Sequence, residues 1–241
     1  MQCAISPLAE PRGLSIRPKL YAKGRTELSF DYLQVTREFY EDHAEEYARK
    51  TAGMFDQEWL DTFASLVRPN GRILDVGCAS GRDSGWFVSN GFQVEGIDVS
   101  PALIERAKKA VPNATFSVMD LANLQYPPES FDGIWCSCVL LHIPRAEAPS
   151  VVASLARILR SSGILYILVK EGKSEGLEQD ARYGNATKFS SYFKVDELHE
   201  MIEAADLKIR LISDMHEKVD DYRASERIFA LAQKPDAQAN G

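Results

Sequence analysis

Apolar residues recur along this chain with two different spacings, and the change between them marks its parts. From Tyr32 to about Val67 the spacing is helical. Phe39, Tyr40, His43 and Tyr47 fall on one side, and Phe55, Trp59, Leu60, Phe63 and Leu66 continue the pattern, which predicts two helices. The chain then alternates. Aliphatic runs at "RILDVG", "FQVEGIDVS", "ATFSVMD", "FDGIWCSCVLL" and "GILYILV" predict strands, separated by helical spacing in "RDSGWFVSNG", "SPALIERAKKAV" and Pro144 to Leu159. Gly91 is placed to stop the first of these helices, and Ser100 to cap the second ahead of Pro101. Alternation at this pitch predicts right-handed βαβ units and a largely parallel sheet covered on both faces.

The last third reads differently. "KVDELHEMIEAADL" is helical, whereas "KIRLISDMH" and "ERIFALAQK" are strands joined only by "EKVDDYRAS", which calls for an antiparallel hairpin at one sheet edge. Residues 170–193 are polar and too long for a plain connection, so they are expected to form a substrate loop. Residues 1–30, broken by Pro7, Pro11, Gly13, Pro18 and Gly24, read as an arm, either disordered or a lid. One domain is expected over 31–235, with a short tail at 236–241.

Composition narrows the function. With 241 residues, 45% of them hydrophobic, the chain can bury one sizeable core. It has no run of eighteen apolar residues, and its start lacks the pattern of a secretory leader, so a soluble cytoplasmic protein without a membrane partner is expected. A formal charge of -7 and a pI near 5.2 disfavour nucleic acid as a partner. Only the strip of Arg12, Arg17, Lys19, Lys23 and Arg25 leaves an RNA substrate open. The four cysteines form no CxxC pair and the four histidines are scattered, so no metal site is expected.

The candidate chemistry lies in "ILDVGCASGRDS". Gly77, Ala79 and Gly81 keep the turn after the first strand thin, so that a ligand can approach the backbone. It is no phosphate-binding P-loop, because Gly81 is followed by Arg82 and Asp83 with no lysine, and "GCASGR" supplies only the first glycine of a dinucleotide loop. Three acids end successive strands. Asp98 is placed to accept from a ribose diol and Asp120 from an adenine amino group, while Asp75 adds negative charge that suits a sulfonium. Ribose, adenine and a cationic chain together describe S-adenosylmethionine.

These residues, with "VEGIDVSPALIERAKK", "FSVMDL" and "FDGIWCSCVLLHIP", resemble the class I S-adenosylmethionine-dependent methyltransferases over roughly Tyr32 to Lys234. The "GRDS" turn, "KEG" and "SSYFKVDELHEMIEAADL" are similar to small bacterial members of the type 11/12 and tellurite-resistance kind. The resemblance implies a Rossmann-like, doubly wound seven-stranded α/β sheet with an antiparallel last strand and N-terminal helices as a cap. It implies that Gly77, Ala79 and Gly81 pack under the methionine part, that Asp98 binds the ribose, that Asp120 and Leu121 meet the adenine edge, and that Val99 belongs to the cofactor site. Cys136 would then lie at the sulfonium end of the fourth strand. Ala79 stands where the family more often has glycine, which is harmless unless its φ is positive.

Around this cofactor, Tyr40 and Tyr47 are two helical turns apart and point the same way, either as a packed aromatic face or against the cofactor's carboxylate and sulfonium. His142 is a candidate general base and Glu171 a candidate for orienting an amine, each with an ordinary structural alternative. Arg182, Tyr183 and Tyr192 are candidates for holding an anionic or aromatic substrate. The expected activity is methyl transfer to N, O or S of a small molecule by a monomer or homodimer, leaving S-adenosylhomocysteine. The alternatives are a tRNA methyltransferase, a nicotinamide oxidoreductase and a non-catalytic cofactor-binding module.

Overall fold

A computed structural model of the protein describes residues 31–215 and 226–236. Three helices precede the sheet: α1 (Tyr32–Asp42), α2 (Ala44–Thr51) and α3 (Gln57–Leu66). The sequence pattern predicts two. The extra break falls at His43, whose backbone leaves helical geometry (φ -111°, ψ 13°) while its ring Nδ1 donates to Phe39 O at 2.7 Å. The 3.6-residue spacing runs through this corner unbroken, which hides it from a periodicity argument.

The alternating core follows as β1 (Arg72–Val76), α4 (Arg82–Ser89), β2 (Gln93–Asp98), α5 (Pro101–Ala110), β3 (Thr115–Val118), β4 (Phe131–Ser137), α6 (Ala148–Ile158) and β5 (Leu159–Lys170). Ser100 caps α5 as expected, accepting from Leu103 N at 3.2 Å. After β5 come β6 (Glu175–Asp180), β7 (Ala186–Ser191), α7 (Val195–Ala204), β8 (Lys208–Met215) and β9 (Arg227–Gln233). The main sheet has seven strands in the order β3-β2-β1-β4-β5-β9-β8. β1 to β5 pair in parallel, and β9 runs antiparallel to both β5 and β8. The order turns back between β1 and β4, and ligands in open α/β sheets bind at the carboxyl ends of strands beside such a reversal.

Each face of the sheet carries its own core. On one side Leu74, Ile134, Leu165 and Ile167 pack under Leu155 and Ile158 of α6 and Leu198 and Ile202 of α7. On the other, Ile73, Trp135 and Tyr166 pack under Phe63 of α3 and Phe87 of α4, with Trp135 and Tyr166 stacked at 3.9 Å and 8°. Strand periodicity of two makes this division, sending neighbours such as Ile73 and Leu74 to opposite faces.

Residues 170–193, expected as a loop, instead contain the two-stranded β6–β7 sheet. Its turn places Gly184 (φ 63°) and Asn185 (φ 62°) in the left-handed region, and this Gly-Asn pair was the hairpin signal available in the sequence. The hairpin leans on α1, where Tyr32 meets Phe189 at 5.5 Å and Phe39 meets Tyr183 at 5.2 Å. The expected arm at 1–30, the "EKVDDYRAS" connection and nearly all of the expected tail lie outside the described residues.

Candidate functional site

The turns that follow β1, β2 and β4 meet at one edge of the sheet. Gly77 has φ 65°, and a Cβ there would lie 2.2 Å from Val139 Cγ2, so the first turn can approach the turn after β4 only as glycine. Ala79 also has a positive φ, 48°, the strained case for a residue with a side chain. Its amide donates to Asp98 Oδ2 at 3.0 Å, while Asp98 Oδ1 accepts from Ser100 N at 2.9 Å. One carboxylate thereby ties the β1 turn to the β2 turn. Burial pushes the Asp98 pKa up to about 6, against the pull of the Ser100 and Ala79 amides.

Beside Asp98 lies a narrow slot walled by Ile97, Val99, Met119, Asp120 and Leu121, and closed by Thr36 and Tyr40 of α1. Asp120 Oδ1 accepts from Ala122 N at 2.9 Å, which orients its carboxylate. Thr36 Oγ1 is buried on this slot and has no hydrogen-bond partner among the described residues. An orphaned hydroxyl, two oriented carboxylates and an apolar sandwich match the needs of an adenosine, whose diol and amino group donate and whose ring is flat and apolar. The residues present fit S-adenosylmethionine. α1 is held over the slot by Glu41, whose Oε2 accepts from Ser100 Oγ at 2.6 Å and Ala102 N at 3.2 Å. Sequence reasoning missed Glu41, since nothing local marks a glutamate that caps a helix 59 residues away.

Tyr40, Tyr47, Gly77, Ala79, Ser137, Cys138 and His142 also border a second cavity, of about 420 Å³, which opens toward the hairpin. Asp75 lies on its floor and accepts from Ser84 Oγ at 2.6 Å. Burial, reinforced by Asp83, pushes Asp75 up to about 8, so it holds its proton at neutral pH. Asp83 accepts from Trp135 Nε1 at 3.1 Å and from both arms of Arg82, at 2.6 and 2.9 Å. On the hairpin side Asp180 accepts from Lys188 Nζ at 2.6 Å and from Arg182 Nε at 2.8 Å. Lys188, 7% exposed at its side chain, lies over the Phe39 ring at 4.8 Å.

His142 is fixed at both ring nitrogens. Nδ1 faces Phe189 O at 2.7 Å, and a carbonyl can only accept, so Nδ1 carries the proton and Nε2 accepts from Tyr40 Oη at 2.9 Å. Burial pushes its pKa down to about 3, which makes it a poor proton acceptor at neutral pH. Tyr40 of α1 and Tyr47 of α2 meet across the corner at His43, with ring centroids 5.2 Å apart, so the expected pairing forms between two helices and not along one. Tyr47 stacks on Tyr183 at 6.3 Å.

Of the residues singled out from sequence, Tyr40, Tyr47, Asp75, Gly77, Ala79, Asp98, Val99, Asp120, Leu121, His142, Arg182 and Tyr183 border the slot or the cavity. Four do not. Cys136 is fully buried in the core under α6, and its place at the strand end is taken by Ser137 and by Cys138, whose φ of 59° turns the chain into the cavity. The parity of β4 decides this, since residue 136 shares a face with Ile134. Gly81 packs against α5, where a Cβ would lie 3.2 Å from Ala107. Glu171 Oε1 accepts from Lys194 Nζ at 2.7 Å, away from the cavity. Tyr192 supports Lys170, whose ammonium lies 5.4 Å from its ring.

Comparison with known proteins agrees with this geometry. A family model described as a methyltransferase domain matches residues 73–163. Ubiquinone biosynthesis O-methyltransferase of Xanthomonas campestris is 30% identical over 173 residues, 65% of this chain and 71% of that one. Methyltransferase GfsG of Streptomyces halstedii is 28% identical over 61% of this chain and 56% of its own. The chain spans about half or less of the first curated relatives it matches, 56%, 53% and 33% of their lengths. Among solved structures, 1,6-didemethyltoxoflavin-N1-methyltransferase of Burkholderia thailandensis superposes with a TM-score of 0.66 at 20% identity, over 96% of this chain and all of that one. Magnesium protoporphyrin IX methyltransferase of Synechocystis, solved with bound S-adenosylmethionine, gives 0.65 at 17% identity over 87% of this chain and 100% of its own. The strand order, the stapled turns and these matches agree: the chain belongs to the S-adenosylmethionine-dependent methyltransferase family.

Proposed function

We propose that this protein transfers a methyl group from S-adenosylmethionine to a nucleophilic N, O or S of a small molecule. The observation that carries this reading is the wall common to the slot and the cavity, built by Tyr40, Ser137, Cys138 and His142. A cofactor seated by Asp98 and Asp120 would present its sulfonium at that wall, and an acceptor would approach from the other side. The cavity, about 420 Å³ and roofed by the β6–β7 hairpin, has the dimensions of a small-molecule site. Relatives named for ubiquinone, toxoflavin and porphyrin chemistry support a small acceptor.

When bound, the cofactor supplies a methyl carbon that a nucleophile's lone pair attacks in line, while the C–S electron pair returns to sulfur. The residues of the chain align the reactants, and alignment is worth roughly 7–11 kcal/mol of barrier. Tyr40 donates its proton to His142, which leaves its oxygen as an acceptor at the common wall. His142 acts here as a positioning residue for Tyr40. Arg182 and Tyr183 line the acceptor side, and the placements of Glu171 and Tyr192 remove them from it.

Calorimetric titration with S-adenosylhomocysteine, with NADH as control, tests the cofactor half. Micromolar binding of the first alone is expected. Asp98→Ala should weaken it by at least about tenfold, since the variant loses the ribose acceptor and leaves two backbone amides without their carboxylate. Normal binding by a folded Asp98→Ala would refute the site.

A further inference from the structure

One wall of the larger cavity carries more positive charge among the described residues than it neutralises. Lys170 at the end of β5 and Arg227 at the start of β9 are directly opposite each other in the antiparallel ladder, and both border the cavity. Cross-strand partners share a sheet face with Cβ atoms about 5 Å apart, and like charges in that position repel. Among the described residues Lys170 has one carboxylate partner, the distant Glu178 Oε2 at 3.6 Å. Arg227 makes no ion pair or side-chain hydrogen bond among the described residues. Its neighbour Glu226 belongs to the other face, where its charge acts on Lys194. Nearby, Asp180 serves both Lys188 and Arg182. Among the described residues this wall therefore sets four cations against the two carboxylates Glu178 and Asp180. The rest of the cavity balances only in part: Arg82 is matched by Asp83, Asp56 stands at the start of α3, and Asp75 holds its proton.

Two cations held opposite each other at a cavity, one of them without an ion pair among the described residues, suit an anion between them. We propose that Lys170 and Arg227 bind an anionic group, a carboxylate or a phosphate, on the methyl acceptor. The word acceptor rests on the methyltransferase reading; the anion site itself does not. The aromatic rings of Tyr47 and Tyr183 on the same cavity suit a planar body attached to that group.

Cys138 provides a probe that needs no knowledge of the acceptor. Cys138 is an exposed residue on this cavity, within the field of Arg227 and Lys170, whereas Cys78 and Cys136 are buried. In a Cys3→Ser background, labelling rates are compared for anionic dithiobis(nitrobenzoate) and neutral dithiodipyridine. The ratio of the two cancels any change in thiolate fraction. It should be about tenfold higher in this background than with Arg227→Gln added, and intermediate with Lys170→Gln. Benzoate or phenyl phosphate should slow the labelling, and benzamide should not. Protection by only one of the two anions assigns the group as carboxylate or phosphate. An unchanged ratio in folded Arg227→Gln, with no protection by either anion, overturns the proposal. Titration of the same samples with S-adenosylhomocysteine separates the two claims: lost binding in the parent chain removes the methyltransferase reading, whereas the reagent ratio reports the anion site alone.

Discussion

Ala79 donates its backbone amide to Asp98 at 3.0 Å while its own φ is 48°, so the bond that joins the first two turns is made by a residue in a left-handed conformation. For a residue with a Cβ that conformation costs about 1–2 kcal/mol. The hydrogen bond to a buried carboxylate offsets the cost, and the strain sits where the cofactor would bind.

Ala79→Gly should therefore stabilise the protein. Relief of the strain exceeds the added backbone entropy of glycine, for a net gain of about 0.5–1 kcal/mol and a rise in Tm of about 1–4 °C. Thermal or urea denaturation checks this, and a lower Tm would mean that the alanine methyl makes a contact worth more than the strain.

Asp75 governs a pH dependence. Unfolded, it ionises near 3.9, and folded, near 8, so between those values the native chain holds the extra proton and stability falls as pH rises. Asp75→Asn keeps an acceptor for Ser84 and has no charge to bury. The variant's Tm advantage over the parent should grow steadily from pH 5 to pH 8.5. A constant difference across that range would show that Asp75 ionises normally.

His142 should not act as a proton acceptor in turnover. With its pKa near 3 and its Nε2 occupied by Tyr40, it stays neutral across the working range, so kcat/KM should show no limb near pH 6.5 that depends on it. His142→Ala should instead raise KM, on the order of tenfold, through a misplaced Tyr40. A limb at pH 6–7 in the parent that vanishes in the variant would restore the base role.

Asp180 ties the two strands of the hairpin together beside the site. Its carboxyl is kept well below the usual range by Arg182 and Lys188 despite burial, so its contribution is present at neutral pH and is lost only in strong acid. Asp180→Ala leaves the Lys188 ammonium buried and unpaired, which should cost about 3 kcal/mol. Lys188→Met added to it should recover most of that loss in a double-mutant denaturation series. Additive losses would show that the pair is not coupled.

The parts of this protein that were legible in its sequence are those set by local periodicity. Strand-helix alternation places the ends of β1, β2 and β3 on one edge, because right-handed crossovers admit little else. Asp98 and Asp120 do border one slot, whereas Asp75 lies on the floor of the neighbouring cavity. The absence of a helix between "KIRLISDMH" and "ERIFALAQK" likewise predicted the antiparallel pair at the edge. Tertiary structure decided what periodicity cannot express. It placed β9 between β5 and β8, which sets Arg227 opposite Lys170 across 56 intervening residues. It buried Cys136 and brought Ser137 and Cys138 to the cavity, a matter of strand parity at a turn with positive φ. It occupied both nitrogens of His142 with groups from α1 and β7, and so changed a candidate base into a support for Tyr40. Spacing along a chain determines which face of an element is apolar, whereas the protonation and partners of a side chain depend on what packs against it from elsewhere.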